Sequence, residues 1–112
     1  MNNQDDRIAL TPQGLVARLK TERFAEADGF VTRCPSLHIS AQGETEQEAG
    51  EALDEAIRMF LTDLVEDGNL DSALVEDLGW QHLPASPDWR RAFAPPSVQT
   101  STVEIGPIAV PA

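Results

Sequence analysis

Leu15, Ala17 and Leu19 alternate with Val16, Arg18 and Lys20, and Thr21 and Arg23 continue this two-residue period weakly. Such a period predicts a strand. Asp28-Gly29 then predicts a hairpin turn, because glycine takes positive φ without strain. Phe30–Cys34 is aromatic and β-branched and predicts the returning strand, which Pro35 should end, having no N–H for a ladder. Leu37 and Ile39 alternate with His38 and Ser40 and predict a third short strand, closed by Gln42-Gly43.

The period then lengthens. Ala49, Ala52, Leu53, Ala56, Ile57, Phe60, Leu61 and Leu64 follow one another at steps of three and one, a helical stripe. Thr45-Glu46-Gln47-Glu48 in front of it is a capping box, and Gly68 is a C-terminal stop. The small residues come first, which predicts that the first turns lie close against a sheet. Asn69 or Asp71 can cap a shorter helix with the stripe Leu70, Ala73, Leu74 and Leu78, ended by Gly79. Pro84, Pro87, Pro95 and Pro96 predict an irregular segment. Thr102–Val110 predicts a late strand, with Val103 and Ile105 on one parity and Ile108 and Val110 on the other. Gly106-Pro107 between them predicts a bulge that resets the register.

The expected architecture is α+β in two layers. An antiparallel three-stranded meander plus a C-terminal strand is covered by one long helix, with a second short helix. The whole chain, 1–112, reads as one domain. Residues 1–13 form a loose arm, 14–66 the core strands and long helix, and 69–79 the short helix. A Pro-rich loop fills 80–101 and the last strand 102–110.

A chain of 112 residues with 41% hydrophobic content buries roughly two-thirds of its unfolded surface and needs no staple. The lone Cys34 offers no internal disulfide. No apolar run approaches a membrane span or a signal sequence, so the expected location is cytoplasmic with no membrane partner. The formal charge is −11. Glu44–Asp77 carries twelve acids against one base, Arg58, and so accounts for all of it. Acidity argues against nucleic acid as the main partner. On the long helix it reads either as a solvated face that aids solubility or as a surface for a basic partner.

Three stretches in order carry a family likeness. They are Asp28-Gly29-Phe30-Val31-Thr32-Arg33-Cys34-Pro35-Ser36-Leu37, then Gln42-Gly43-Glu44-Thr45-Glu46-Gln47-Glu48-Ala49, then Leu53-Asp54-Glu55-Ala56-Ile57. Together they resemble the HicB-like antitoxin domain over about Leu15–Leu64. The resemblance implies a partial RNase H-like fold. It also implies a non-enzymatic antitoxin of a type II toxin–antitoxin system, which neutralises a small basic HicA-like mRNA-cleaving toxin by direct binding. Many members add an operator-binding domain. Here the segment after Leu64 holds no basic recognition helix, so direct DNA binding is not expected. The alternative is an orphan HicB-like module that works as a homo-oligomer, dimer or tetramer.

No catalytic, cofactor or metal site is expected. Glu22, Glu26 and Asp28 lie near one hairpin, too few to gather two metal ions. Cys34 with His38 lacks a third group and reads as a core thiol beside an exposed imidazole. His82 adds no zinc spacing. The candidate partner or oligomer surface comprises Trp80, Trp89, Arg90, Arg91 and Phe93 in the Pro-rich segment, and Glu51, Asp54 and Glu55 on the long helix. The aromatics can equally pin that segment to its own core.

Overall fold

The computed structural model describes residues 6–97 and 101–111. The element order is β1 (Arg7–Thr11), β2 (Gly14–Arg18), β3 (Glu22–Glu26), β4 (Gly29–Cys34), β5 (Ile39–Gly43), α1 (Glu46–Asp67), a short wide-turn helix α2 (Ser72–Asp77), β6 (Gln81–His82) and β7 (Arg91–Ala94). Two antiparallel sheets result. One is the meander β3-β4-β5, and the other runs β2-β1-β7-β6.

β4 and β5 of this meander fall where the alternation predicts strands, although Leu37 and His38, expected in the third strand, lie in the turn before β5; β3 lies where the alternation is only weak. Thr32 pairs with Ala41 and Cys34 with Ile39 on the face toward α1, where Thr32 and Cys34 are buried. The other face is wet, as antiparallel sheets allow. There Phe24 sits beneath the Arg33 guanidinium at 5.4 Å, and Arg33 Nε meets Glu22 Oε1 at 2.7 Å.

Helix α1 starts where its cap dictates. Thr45 is extended, and its hydroxyl accepts from the Glu48 N–H at 3.0 Å. The Glu48 carboxylate reaches back one residue further than a capping box requires, to the Glu44 N–H at 3.0 Å. At the other end Gly68 adopts the left-handed conformation, φ 71°, and its N–H meets the carbonyls of Leu64 and Val65. The small first turns do lie close to the sheet: Ala49 is fully buried, and its carbonyl accepts from the Thr32 hydroxyl at 2.8 Å. Thr45→Ala should cost about 1 kcal/mol, read as a lower urea midpoint, and Thr45→Ser should recover most of it.

The second sheet was not expected. Of the predicted loose arm, residues 1–5 lie outside the described region, but Arg7–Thr11 forms an inner strand, with β2 on one side and β7 on the other. Ile8 and Leu10 alternate onto its core face, and five residues are too few for that period to stand out. The single first strand predicted from Leu15 is in fact two strands in different sheets. Asp6 explains the break. Its carboxylate takes the Lys20 N–H at 2.9 Å, so Lys20 cannot donate that N–H to a ladder, and it accepts the Ser36 hydroxyl at 2.6 Å. Asp6 is only 8% exposed. Asp6→Ala should leave both donors short of a partner and cost about 1–3 kcal/mol. Asp6→Asn, which keeps an acceptor, should cost less in the same denaturation assay.

The Pro-rich segment, of which residues 98–100 are not described, is largely a hairpin rather than a loop. Ser86-Pro87-Asp88-Trp89 makes its turn, with proline at the position whose φ it pre-sets. Gln81 pairs with Ala94 and His82 with Phe93, and Leu83 donates to the Ala92 carbonyl at 2.8 Å. β7 then pairs with β1, and this supplies the closing strand that was expected at 102–110. Among the described residues, 101–111 contribute no strand and no bulge within one, and all are exposed. Pro107 and Pro111 lack N–H donors, and Gly106 breaks the extended run at φ 113°.

One core joins these pieces. Ile8, Cys34, Leu37, Leu61, Leu70, Leu74, Trp80 and Phe93 are buried together, flanked by Leu10, Leu15, Ile57, Phe60 and Leu64.

Candidate interaction surfaces

The eight candidate surface residues separate by burial. Trp80 is 1% exposed and Phe93 is 0% exposed, so both belong to the core and present nothing to a partner. The Trp80 indole N–H donates to the Ser36 carbonyl at 3.2 Å, which satisfies its one polar group. This is a correction: the aromatics of the segment pin it inward. Trp89 is half-buried. Its N–H donates to the Pro84 carbonyl at 3.2 Å, closing the hairpin, while the Arg7 guanidinium covers its ring at 5.0 Å.

Arg90 and Arg91 remain exposed, but Arg91 is committed. Its guanidinium bonds Asp71 Oδ1, and His82 Nε2 meets Asp71 Oδ2 at 2.9 Å. Asp71 therefore does not cap α2 through its side chain. It ties α2 to the β6–β7 hairpin instead. The His82 ring also stacks at 4.9 Å on Phe93. Nothing in the local sequence foretells this cluster, since His82 and Arg91 lie eleven and twenty residues from Asp71.

Glu51, Asp54 and Glu55 are exposed on α1, as expected. Asp54 pairs with Arg58 at 2.7 Å, and Arg23 pairs with Glu46 at 3.3 Å. Glu48, Glu51, Glu55 and Glu66 follow steps of three, four and eleven residues, which returns each to the face opposite the apolar stripe. The acidity is thus an exposed face of α1, interrupted between Glu55 and Glu66 by the exposed Met59 and Thr62 and partly neutralised along one flank.

Ser36 is a hub that the sequence reading missed. Its hydroxyl serves Asp6 and lies 3.6 Å from Cys34 Sγ, and its carbonyl serves Trp80. Cys34 itself is wholly buried, while His38 is exposed in a turn with φ 60°. The thiol therefore sits in the core and not at a reactive surface. Among the described residues no group of three or more His, Cys, Asp or Glu side chains is placed to hold a metal ion. No described helix is long and apolar enough to cross a membrane.

An open groove of about 1160 Å³ lies between α1 and β2, lined by apolar side chains such as Leu15, Leu19, Ile57 and Val65 and by the charged Arg23, Asp54, Arg58 and Glu66. In comparisons with known proteins, no family model, curated protein or solved structure matches the chain.

Proposed function

We propose that this chain is a HicB-like antitoxin that neutralises a small basic HicA-like, RNA-cleaving toxin by binding it, without chemistry of its own. The observation that carries the reading is the exposed acidic face of α1; the three motif stretches fall in family order on β4 and the turn after it, on the end of β5 and the start of α1, and within α1. A toxin that binds RNA carries a basic surface. Glu51, Glu55 and Glu66, exposed on one face, offer that surface a competing set of carboxylates. The mechanism is steric and electrostatic: the acidic face covers the toxin's RNA-binding face. Among the described residues, Arg90 is the one exposed base of the former candidate set with no carboxylate partner.

A second reading, a homo-oligomeric module with no toxin, is favoured by the exposed apolar residues of the C-terminal segment.

The test is to look for a small basic protein encoded next to this chain, whose absence would favour the second reading, and to co-express the two. A complex should form at low salt and weaken steeply as salt rises. The charge reversal Glu51→Lys with Glu55→Lys should slow association by about tenfold or more. Absence of a complex at low salt, or a complex indifferent to both salt and reversal, would overturn the proposal.

A further inference from the structure

Every residue of β3, Glu22–Glu26, is exposed, so neither of its faces is covered, while α1 packs on β4 and β5. Among the described residues β4 is its single strand neighbour, which leaves one edge open. Natural sheets blunt such an edge with proline, lysine, other charges or a bulge. β3 holds no proline or lysine, and its pairing runs unbroken from Glu22 with Arg33 to Glu26 with Gly29. Two of its three charges are already taken up, Glu22 by Arg33 and Arg23 by Glu46. At its centre stands Phe24, 43% exposed.

The hairpin fixes which main-chain groups face the open edge. With a two-residue turn, Ala27-Asp28, the pair Glu26 and Gly29 is hydrogen-bonded, and the pattern alternates from there. The N–H and C=O of Glu22, Phe24 and Glu26 therefore serve β4. Those of Arg23 and Ala25 point outward.

We propose that β3 pairs with β3 of a second copy, antiparallel about a two-fold axis at Phe24, and joins two meanders into one continuous sheet. Three centres keep most of the strand paired. A two-fold at Arg23 sets two guanidinium groups directly opposite each other, which is unfavourable. One at Ala25 sets Phe24 against Glu26 and leaves Arg23 level with the partner's turn. One at Phe24 sets Arg23 against Ala25 twice, and both residues have their main-chain groups outward, so each pair can exchange two hydrogen bonds. The two Phe24 rings then meet as a non-hydrogen-bonded pair, where side chains lie closest. Glu26 comes opposite Glu22, whose charge Arg33 already balances. Lys20, before the strand, comes level with Asp28, after it. A base at one end and an acid at the other are self-complementary under an antiparallel two-fold, and this selects a second copy as the occupant. The inference stands independently of the antitoxin reading.

The contact is small, with about four main-chain hydrogen bonds, so it should depend on concentration. The test is light scattering of the full chain after size exclusion, up to several hundred micromolar, together with cross-linking. The wild type should rise from 12.2 kDa toward twice that mass. Ala25→Pro removes an N–H that only the second copy uses, and should stay monomeric with unchanged far-UV circular dichroism. Phe24→Lys, at an exposed position, should do the same, and decides the matter if the proline variant fails to fold. Phe24→Cys should form a disulfide-linked dimer on mild oxidation, because a non-hydrogen-bonded pair sets the Cα atoms about 4.5 Å apart, within disulfide range. The native Cys34 is buried and does not compete. Val16→Cys, where the native residue is 52% exposed on β2, should cross-link about tenfold more slowly or less, as a thiol that meets its copy only by collision. A wild type that stays monomeric overturns the proposal, whether the edge remains free or serves another protein. So does a dimer that survives Phe24→Lys, or a Phe24→Cys chain that cross-links no faster than Val16→Cys.

Discussion

Replacing Trp80 with alanine should remove about 3–5 kcal/mol of stability, the range for a fully buried tryptophan. A single domain holds about 5–15 kcal/mol in all, so the variant should retain only part of its cooperative transition. The reason lies in placement. Trp80 is 1% exposed and belongs to one buried cluster with Ile8 and Phe93 from the second sheet, Leu61 from α1 and Leu70 and Leu74 around α2. That cluster is where the sheet, the long helix and the short helix come together. Truncation leaves a cavity that three elements would have to move together to fill. The loss has a polar part as well, because the Ser36 carbonyl loses the indole N–H. Trp80→Phe separates the two contributions: it keeps most of the ring volume and should cost about 1–3 kcal/mol. Trp89→Ala, at a half-buried ring beneath Arg7, should cost less than Trp80→Ala. Urea denaturation of the isolated chain reads all three, with midpoints shifted and slopes unchanged. If Trp80→Ala left the midpoint in place, the ring would be serving a partner and not the core.

That outcome bears on how far the sequence could be read. β4, most of β5 and α1 were legible because their signals are local. A helical stripe from Ala49 to Leu64, a Thr45 cap and a Gly68 stop act within a few residues of one another. β1 and β7 were not legible, for a physical reason. Each is four or five residues long, and each is held by pairing across more than eighty residues of sequence, Ile8 with Phe93 and Ala9 with Ala92. The flanking prolines that argued for a loop are accommodated at the hairpin turn and just outside the strand, where no ladder N–H is needed. Aromatic content in a proline-rich segment did not distinguish a clamp from a strap, because Trp80 and Phe93 suit either until their burial is known. The acidic half of the candidate surface was legible, since charges opposite an apolar stripe must face water. The Asp71, His82 and Arg91 cluster and the Ser36 hub needed tertiary structure.

Gly43 is the second position where a small change should have a large effect. In the sequence it reads only as a strand end. In the structure it is the place where β5 passes beneath the first turn of α1. A Cβ added there would stand 2.8 Å from the carbonyl carbon and from the Cβ of Glu48, and closer still to the backbone nitrogen of Ala49. Most of these neighbours are main chain at the capped start of the helix, so no side chain can simply rotate away. Either α1 lifts from the sheet or β5 bends. Lifting α1 would stretch the 2.8 Å bond from Thr32 to the Ala49 carbonyl and expose Ala49. Gly43→Ala should therefore reach the upper end of the about 1–3 kcal/mol that overpacking costs. Gly50 supplies the contrast. It lies one residue beyond Ala49 in the same helix, and a Cβ there meets nothing within 4 Å. Gly50→Ala should instead stabilise the chain by about 0.5–1 kcal/mol, as alanine restricts the unfolded chain and favours the helix. The same substitution at two glycines seven residues apart should thus shift the urea midpoint in opposite directions. Shifts of the same sign would mean that the helix does not press on β5 at Gly43. The small residues at the start of α1 would then reflect helix propensity and not close approach.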